Sequence, residues 1–169
     1  YGMLATSYLL FRISCLLLYR PEPSNQQGQG FYPSVTIVIP AMNEEKVIFG
    51  TIEACCRLVY PEDLLEIIVI NDGSTDGTWQ EIARAMDMFP KVKGVNWTTN
   101  RGKRAGMVEG VRRSQSEIIV FIDSDSWVEP ESLENLVRPF TDPKVGAVVG
   151  HVDVLNKDRN LLTKMQAVR

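Results

Sequence analysis

Short apolar runs alternate along the chain with longer stretches of mixed polarity. Val35 to Ile39, Leu65 to Ile70 and Ile118 to Ile122 are nearly unbroken apolar segments, the pattern of strands covered on both faces. Val92 to Trp97 is a weaker run, and Val145 to Val154 is a fifth, broken at Gly150. Between them the spacing lengthens to that of helices. Ile48, Ile52, Cys55 and Val59 form one series, Trp79, Ile82, Ala83 and Met86 a second, and Met107, Val108 and Val111 a third. Pro130 opens another helix running through Phe140, and the last ten residues keep a helical pattern. Asn43 reads as the cap of the first helix, with Glu44 and Glu45 in a first turn whose dipole favours acids. Strand and helix in alternation predict an α/β domain with a mostly parallel sheet and helices on both faces.

Two segments precede that pattern. Residues 3–19 are strongly apolar, with Arg12 in the middle and Arg20 just after. They read as the end of a transmembrane helix with its following domain on the cytoplasmic side, or as a helix lying in the membrane interface; the first is favoured. The expected organisation is residues 1–20 as that membrane-associated helix, 21–33 as a Pro- and Gly-rich linker, and 34–169 as the globular part. The chain lacks an initial Met and ends within a helical pattern, so it reads as a piece of a longer protein.

Composition narrows the class. A length of 169 residues suits one domain with a sizeable core. The formal net charge of −3 argues against nucleic acid as a partner. Cys15, Cys55 and Cys56 make no disulfide framework and suit a reducing compartment.

Candidate chemistry lies where strands end. Pro40 to Glu44, Asn71 to Gly77 and Asp123 to Ser126 each follow an apolar run. In an open parallel sheet all would gather along the carboxyl edge, where such sheets bind ligands. Asp123 and Asp125 are two apart, so on an extended backbone both would face one spot. Paired carboxylates repel unless a cation lies between them, and oxygen ligands suit Mg²⁺ or Mn²⁺. The plainer alternative is a polar loop in which one Asp caps a helix. Asp72 offers an acceptor to a nucleobase N–H, although Asp and Ser also cap helices in such turns. Asn100-Arg-Gly-Lys-Arg104 is a basic cluster at a helix start, where cations oppose the dipole, and Lys103 could meet a diphosphate. There is neither Gly-x-Gly-x-x-Gly after the first strand nor a phosphate loop ending in Gly-Lys-[Ser/Thr], which argues against dinucleotide-dependent and ATPase chemistry. His151 is assigned no role.

Four motifs in order, Val35-Thr-Ile-Val-Ile-Pro40 with Asn43-Glu44, Ile70-Asn-Asp-Gly-Ser-Thr-Asp76, Asn100-Arg-Gly-Lys103 and Asp123-Ser-Asp125, resemble the inverting family 2 glycosyltransferases of the GT-A fold. Asp123-Ser-Asp-Ser126, Gly146-Ala-Val-Val-Gly150 and Leu155-Asn156 most resemble the membrane-bound processive synthases of the hyaluronan, chitin and Nod-factor chitooligosaccharide type. The resemblance implies a Rossmann-like, donor-binding half of a GT-A domain that takes a UDP-sugar and passes the sugar to a polysaccharide or lipid-linked acceptor. It implies that Pro40, Ala41, Glu44, Asp72, Ser74, Lys103, Asp123 and Ser124 contact the UDP-sugar, with Asp72 on the uracil edge. Asp123 and Asp125 would hold Mg²⁺ or Mn²⁺, and Asp125 and Lys103 would help the UDP leave. The family's acceptor-side base is expected after Arg169. Gln166-Ala-Val-Arg169 follows Asp125 too closely to be the family's Gln-x-x-Arg-Trp motif. A polyprenyl-phosphate sugar transferase and a catalytically silent nucleotide-binding module are the alternatives.

Overall fold

The computed structural model describes residues 6–8, 10–12, 14 and 30–150. Four apolar runs form strands: β1 (Val35–Ala41), β2 (Leu65–Asp72), β3 (Val92–Trp97) and β4 (Ile118–Phe121). They build one parallel sheet in the order β3-β2-β1-β4. This is a Rossmann-like sheet, with helices α1 (Ile48–Cys56), α2 (Thr78–Met88), α3 (Lys103–Arg113) and the short α4 (Ser132–Val137) between and after the strands.

Alternation along the central strands divides the two layers. Ile37 and Ile39 of β1 join Ile67 and Val69 of β2 in a core with Ile48, Ile52 and Cys55 of α1 and Ile82 and Ala85 of α2. Val38, Pro40 and Ile70 face the other way, against Gly106 and Gly110 of α3. Every residue of β1 is buried, which is why the sequence run is continuous instead of alternating.

Several details depart from the sequence reading. β1 continues through Pro40 to Ala41. Its pairing with β4 ends at Val38–Phe121, so the proline lies beyond the ladder its missing N–H would have interrupted. β4, expected to be covered on both faces, lies at the edge of the sheet among the described residues, with Phe121 45% exposed. Val59 is exposed, and Leu58 and Tyr60 take the core places instead. In α3 the buried positions are Gly106 and Gly110, while Val108 and Val111 face solvent. The helix approaches the sheet through its glycines, which hydrophobic spacing does not reveal.

Asn43 does not cap α1. It takes a left-handed conformation with φ 57°, and α1 starts at Ile48 without a side-chain cap. Val145 to Gly150, the described part of the expected fifth strand, form no strand; the rest of that run and the C-terminal helical pattern lie outside the described residues. Residues 6–8, 10–12 and 14 are helical. Among the described residues, no helix is long and apolar enough to cross a membrane. Most of the expected linker also lies outside them. Its end is fastened where the Tyr60 hydroxyl donates to the Pro33 carbonyl at 2.6 Å.

Candidate active site

Parallel pairing brings the carboxyl ends of all four strands to one edge, so the loops that continue from them are neighbours. The register sets Ala41 beside Asn71 and Asp72 beside Trp97. Pro40 and Ala41 are buried in the last residues of β1, with Ala41 2% exposed.

A dense set of bonds joins the loops after β1 and β2. The Asn43 N–H donates to the Ser74 hydroxyl at 2.9 Å, and the Thr75 N–H donates to Asn43 Oδ1 at 2.8 Å. The Glu44 N–H donates to Thr78 Oγ1 at 2.7 Å, and the Gly77 N–H to Glu45 Oε2 at 2.8 Å. Asp76 accepts from the Glu45 N–H and from both the N–H and hydroxyl of Thr78. The Thr78 hydroxyl and these backbone donors hold the Asp76 carboxyl below its ordinary range. Ser74, expected at the donor, thus has its oxygen engaged in this clasp. Glu44 is half-buried beside it.

The β2 loop is also pressed against the β3 loop. Gly73 has φ 69°, and a Cβ there would run into the backbone of Thr99 and Asn100, so both conformation and space demand glycine. Asp72, 3% exposed, accepts the Arg101 N–H at 2.6 Å on one oxygen and the Gly102 N–H at 2.9 Å on the other. Asn71 donates to Asn96 Oδ1 at 2.6 Å, while its own Oδ1 is buried without a partner. The Arg101 guanidinium stacks over the Trp97 ring at 4.6 Å.

The basic loop in turn meets the acidic one. Lys103 Nζ contacts Asp123 Oδ1 at 2.5 Å, with both side chains about 60% exposed. Asp123 and Asp125 lie beyond β4, with Asp125 inside a turn. β4 stops at Phe121, and the Ser126 N–H closes a turn onto the Asp123 carbonyl at 3.0 Å. The expectation that alternation along a strand aims both acids at one spot is therefore corrected: a turn, and not strand pleat, sets their directions. Ser124, 9% exposed, anchors that turn, its carbonyl accepting the Thr51 hydroxyl of α1 at 2.8 Å. Asp125 is exposed.

The acids have the right chemistry for a hard divalent cation. Among the described residues no group of three or more His, Cys, Asp or Glu side chains could hold a metal alone. Two carboxylates still suit Mg²⁺ or Mn²⁺, which commonly complete their shells with substrate phosphates and water. Sequence reading missed Thr51 and Asn96, and took Asn43 for a helix cap. Thr51 carried one faint signal, a polar residue on the apolar face of α1.

The model of the family described as "Glycosyl transferase family 2" matches residues 36–168. The chain belongs to glycosyl transferase family 2. This member is 30% identical over its whole length to a hyaluronan synthase of Streptococcus pyogenes serotype M3 (strain ATCC BAA-595 / MGAS315), and covers 40% of that protein. It is 37% identical to the probable glycosyltransferase YdaM of Bacillus subtilis (strain 168), over 86% of the chain and 36% of that protein. A solved structure of the mannosyltransferase PcManGT from Pyrobaculum calidifontis, in complex with GDP-Man and Mn²⁺, superposes with a TM-score of 0.71 and 29% identity. The match covers 80% of this chain and 40% of that one. This family 2 chain thus spans about 40% of the length of the relatives it matches.

Proposed function

We propose that this chain is the nucleotide-sugar-binding part of a metal-dependent polysaccharide synthase, taking a UDP-sugar and transferring its sugar with inversion to a growing β-linked glycan. The observation that carries the reading is the meeting of Lys103 with Asp123 at the carboxyl edge of the sheet, with Asp125 two residues on. A nucleoside diphosphate needs a cationic partner for its phosphates, and this edge supplies an ammonium and the carboxylates to recruit a second cation. Similarity along the whole of this chain to a hyaluronan synthase supports the polymer-forming assignment. The apolar run of residues 3–19 supports a membrane enzyme with this domain on the cytoplasmic side.

Asp123 and Asp125 would hold Mg²⁺ or Mn²⁺. When bound, the metal supplies positive charge that offsets the negative charge gathering on a departing diphosphate. The chain's own residues do the remaining work on the donor half. Lys103 places a compact charge on the phosphates, and the clasped loops after β1 and β2 wall the nucleotide with Pro40, Ala41, Glu44 and Ser74. Thr51, through the Ser124 carbonyl, keeps the acidic turn from drifting away from that wall.

Calorimetry with UDP, with and without Mn²⁺, tests the reading. The parent chain is expected to bind UDP more tightly with Mn²⁺ and to prefer UDP to GDP. Asp125→Ala should lose the Mn²⁺-dependent part while keeping its far-ultraviolet circular dichroism. A variant binding UDP–Mn²⁺ as tightly as the parent overturns the metal assignment, and a preference for GDP overturns the uridine assignment.

A further inference from the structure

Thr51 lies in α1 and is 3% exposed, a hydroxyl on a helix face whose other buried residues include Ile48, Ile52 and Cys55. Two carbonyls lie within its reach. That of Val47, one turn back in the chain, is 3.4 Å from Oγ1, and that of Ser124 is 2.8 Å away. A hydroxyl has one proton to donate, and O–H···O bonds are short, so the proton goes to Ser124. The Val47 carbonyl already accepts the Thr51 N–H at 3.1 Å. The backbone below α1 is in turn fixed to the clasp, since the Ile48 N–H donates to the Glu44 carbonyl and the Glu44 N–H to Thr78 Oγ1.

The acidic turn has few other attachments. The ladder of β4 ends at Phe121, and the Ile122 N–H makes a last bond to the Val38 carbonyl at 3.2 Å. Ile122 and Val128, on either side of the turn, pack at the margin of the core. Among the described residues, two polar contacts tie residues 123–126 to other elements: the Thr51 bond and the Lys103–Asp123 ion pair. Both members of that pair are about 60% exposed, and exposed pairs contribute little to stability. They are also the groups that a divalent cation and a diphosphate would engage, so ligand binding would give the pair up. The Thr51 bond, directed to a main-chain carbonyl behind the acids, would survive it.

We infer that Thr51 is a positioning residue for Asp123 and Asp125: its hydroxyl keeps the acidic turn in place once the Lys103–Asp123 pair has yielded to metal and diphosphate. This rests on the metal-dependent nucleotide binding proposed for the chain. Without the hydroxyl the turn is free to leave its position before any ligand arrives, and only the fraction still in place can bind metal productively. The effect falls on the metal-dependent part of nucleotide binding. Thr51 has no bond to the loops after β2 and β3, so the rest of the nucleotide wall does not depend on its hydroxyl.

Calorimetry with uridine, with UDP and with UDP plus Mn²⁺ tests this on the parent chain, Thr51→Val and Thr51→Ser. Valine keeps the β-branched shape and removes the donor, whereas serine keeps the donor. Thr51→Val should weaken UDP–Mn²⁺ about fivefold, the equivalent of one lost hydrogen bond. Its affinities for uridine, and for UDP without metal, should equal those of the parent. Thr51→Ser should bind UDP–Mn²⁺ as the parent does. Amide exchange at Ser126, whose N–H closes the turn, should speed up in Thr51→Val and not in Thr51→Ser. Thr51→Ala also lacks the hydroxyl and favours a helix, so it decides the matter if the valine variant does not fold. Three results each overturn the inference and leave the nucleotide reading standing: unchanged UDP–Mn²⁺ binding in Thr51→Val, equal losses with and without Mn²⁺, or a serine variant as weak as the valine one. A parent chain that binds no UDP, or gains nothing from Mn²⁺, overturns the proposed function and the inference with it.

Discussion

Replacing Gly110 with alanine tests whether α3 is seated as closely on the sheet as its glycines imply. An added Cβ would stand 2.7 Å from Val38 Cγ2, 3.0 Å from Val38 Cβ, and closer still to Cγ1. Val38 is wholly buried in a central strand, and a β-branched side chain has few rotamers into which it can yield. Restoring ordinary contact requires the helix to lift by roughly an ångström. Overpacking of this kind costs about 1–3 kcal/mol, against a gain of about 1 kcal/mol for removing glycine from a helix interior. The net expectation is a loss of up to about 2 kcal/mol. Gly50 supplies the control, because it lies in α1 and a Cβ there would meet nothing within 4 Å. Gly50→Ala should stabilise by about 1 kcal/mol. Urea unfolding monitored by circular dichroism measures both, and in thermal unfolding the variants should differ in Tm by roughly 5–10 °C. Lifting α3 also moves Lys103 at its first turn, so Gly110→Ala should weaken UDP–Mn²⁺ binding and Gly50→Ala should not. If Gly110→Ala stabilises the chain as much as Gly50→Ala does, the close seating of the helix is wrong.

Asn43→Ala should destabilise by about 1–2 kcal/mol, losing the acceptor for Thr75 and straining a φ of 57°; Asn43→Gly should cost less, and equal losses in urea unfolding would refute the conformational part. Burial pushes the Cys55 thiol up to about 12, the Cys56 thiol to about 11 and the Tyr60 hydroxyl to about 12. All three are raised, so the stability they contribute is complete below their unfolded values and falls as pH climbs from about 9 through about 12. At pH 8 Cys55 and Cys56 should resist iodoacetamide until the chain is unfolded, and rapid labelling of the native protein mapped to Cys55 would contradict its burial.

How much of this was legible in the sequence depends on which force set each feature. Strand positions were readable because β1 and β2 are covered on both faces, and burial writes itself as uninterrupted Val and Ile. The gathering of Asp72, Lys103 and Asp123 came from their places after consecutive strands. The packing of α3 was not readable, because a helix that docks through Gly106 and Gly110 leaves its valines outside and inverts the hydrophobic signal. Asn43 was misread for a related reason. Caps and left-handed turns favour the same residue type, and only the Ser74–Thr78 loop opposite decides between them. The exposure of Phe121 in β4 was equally hidden, since a run of five apolar residues does not say how the strand is covered.

The sheet order carries a kinetic consequence. Partners across β1–β2 lie 30 residues apart and those across β2–β3 lie 25 apart, whereas joining β4 to β1 closes a span of 83 residues. Longer closures cost more chain entropy and slow assembly. The first three strands with α1 and α2 are therefore expected to assemble first, and the acidic turn to be added afterwards. Chains that have not yet docked β4 would carry the clasped loops after β1 and β2 without the turn that bears Asp123 and Asp125.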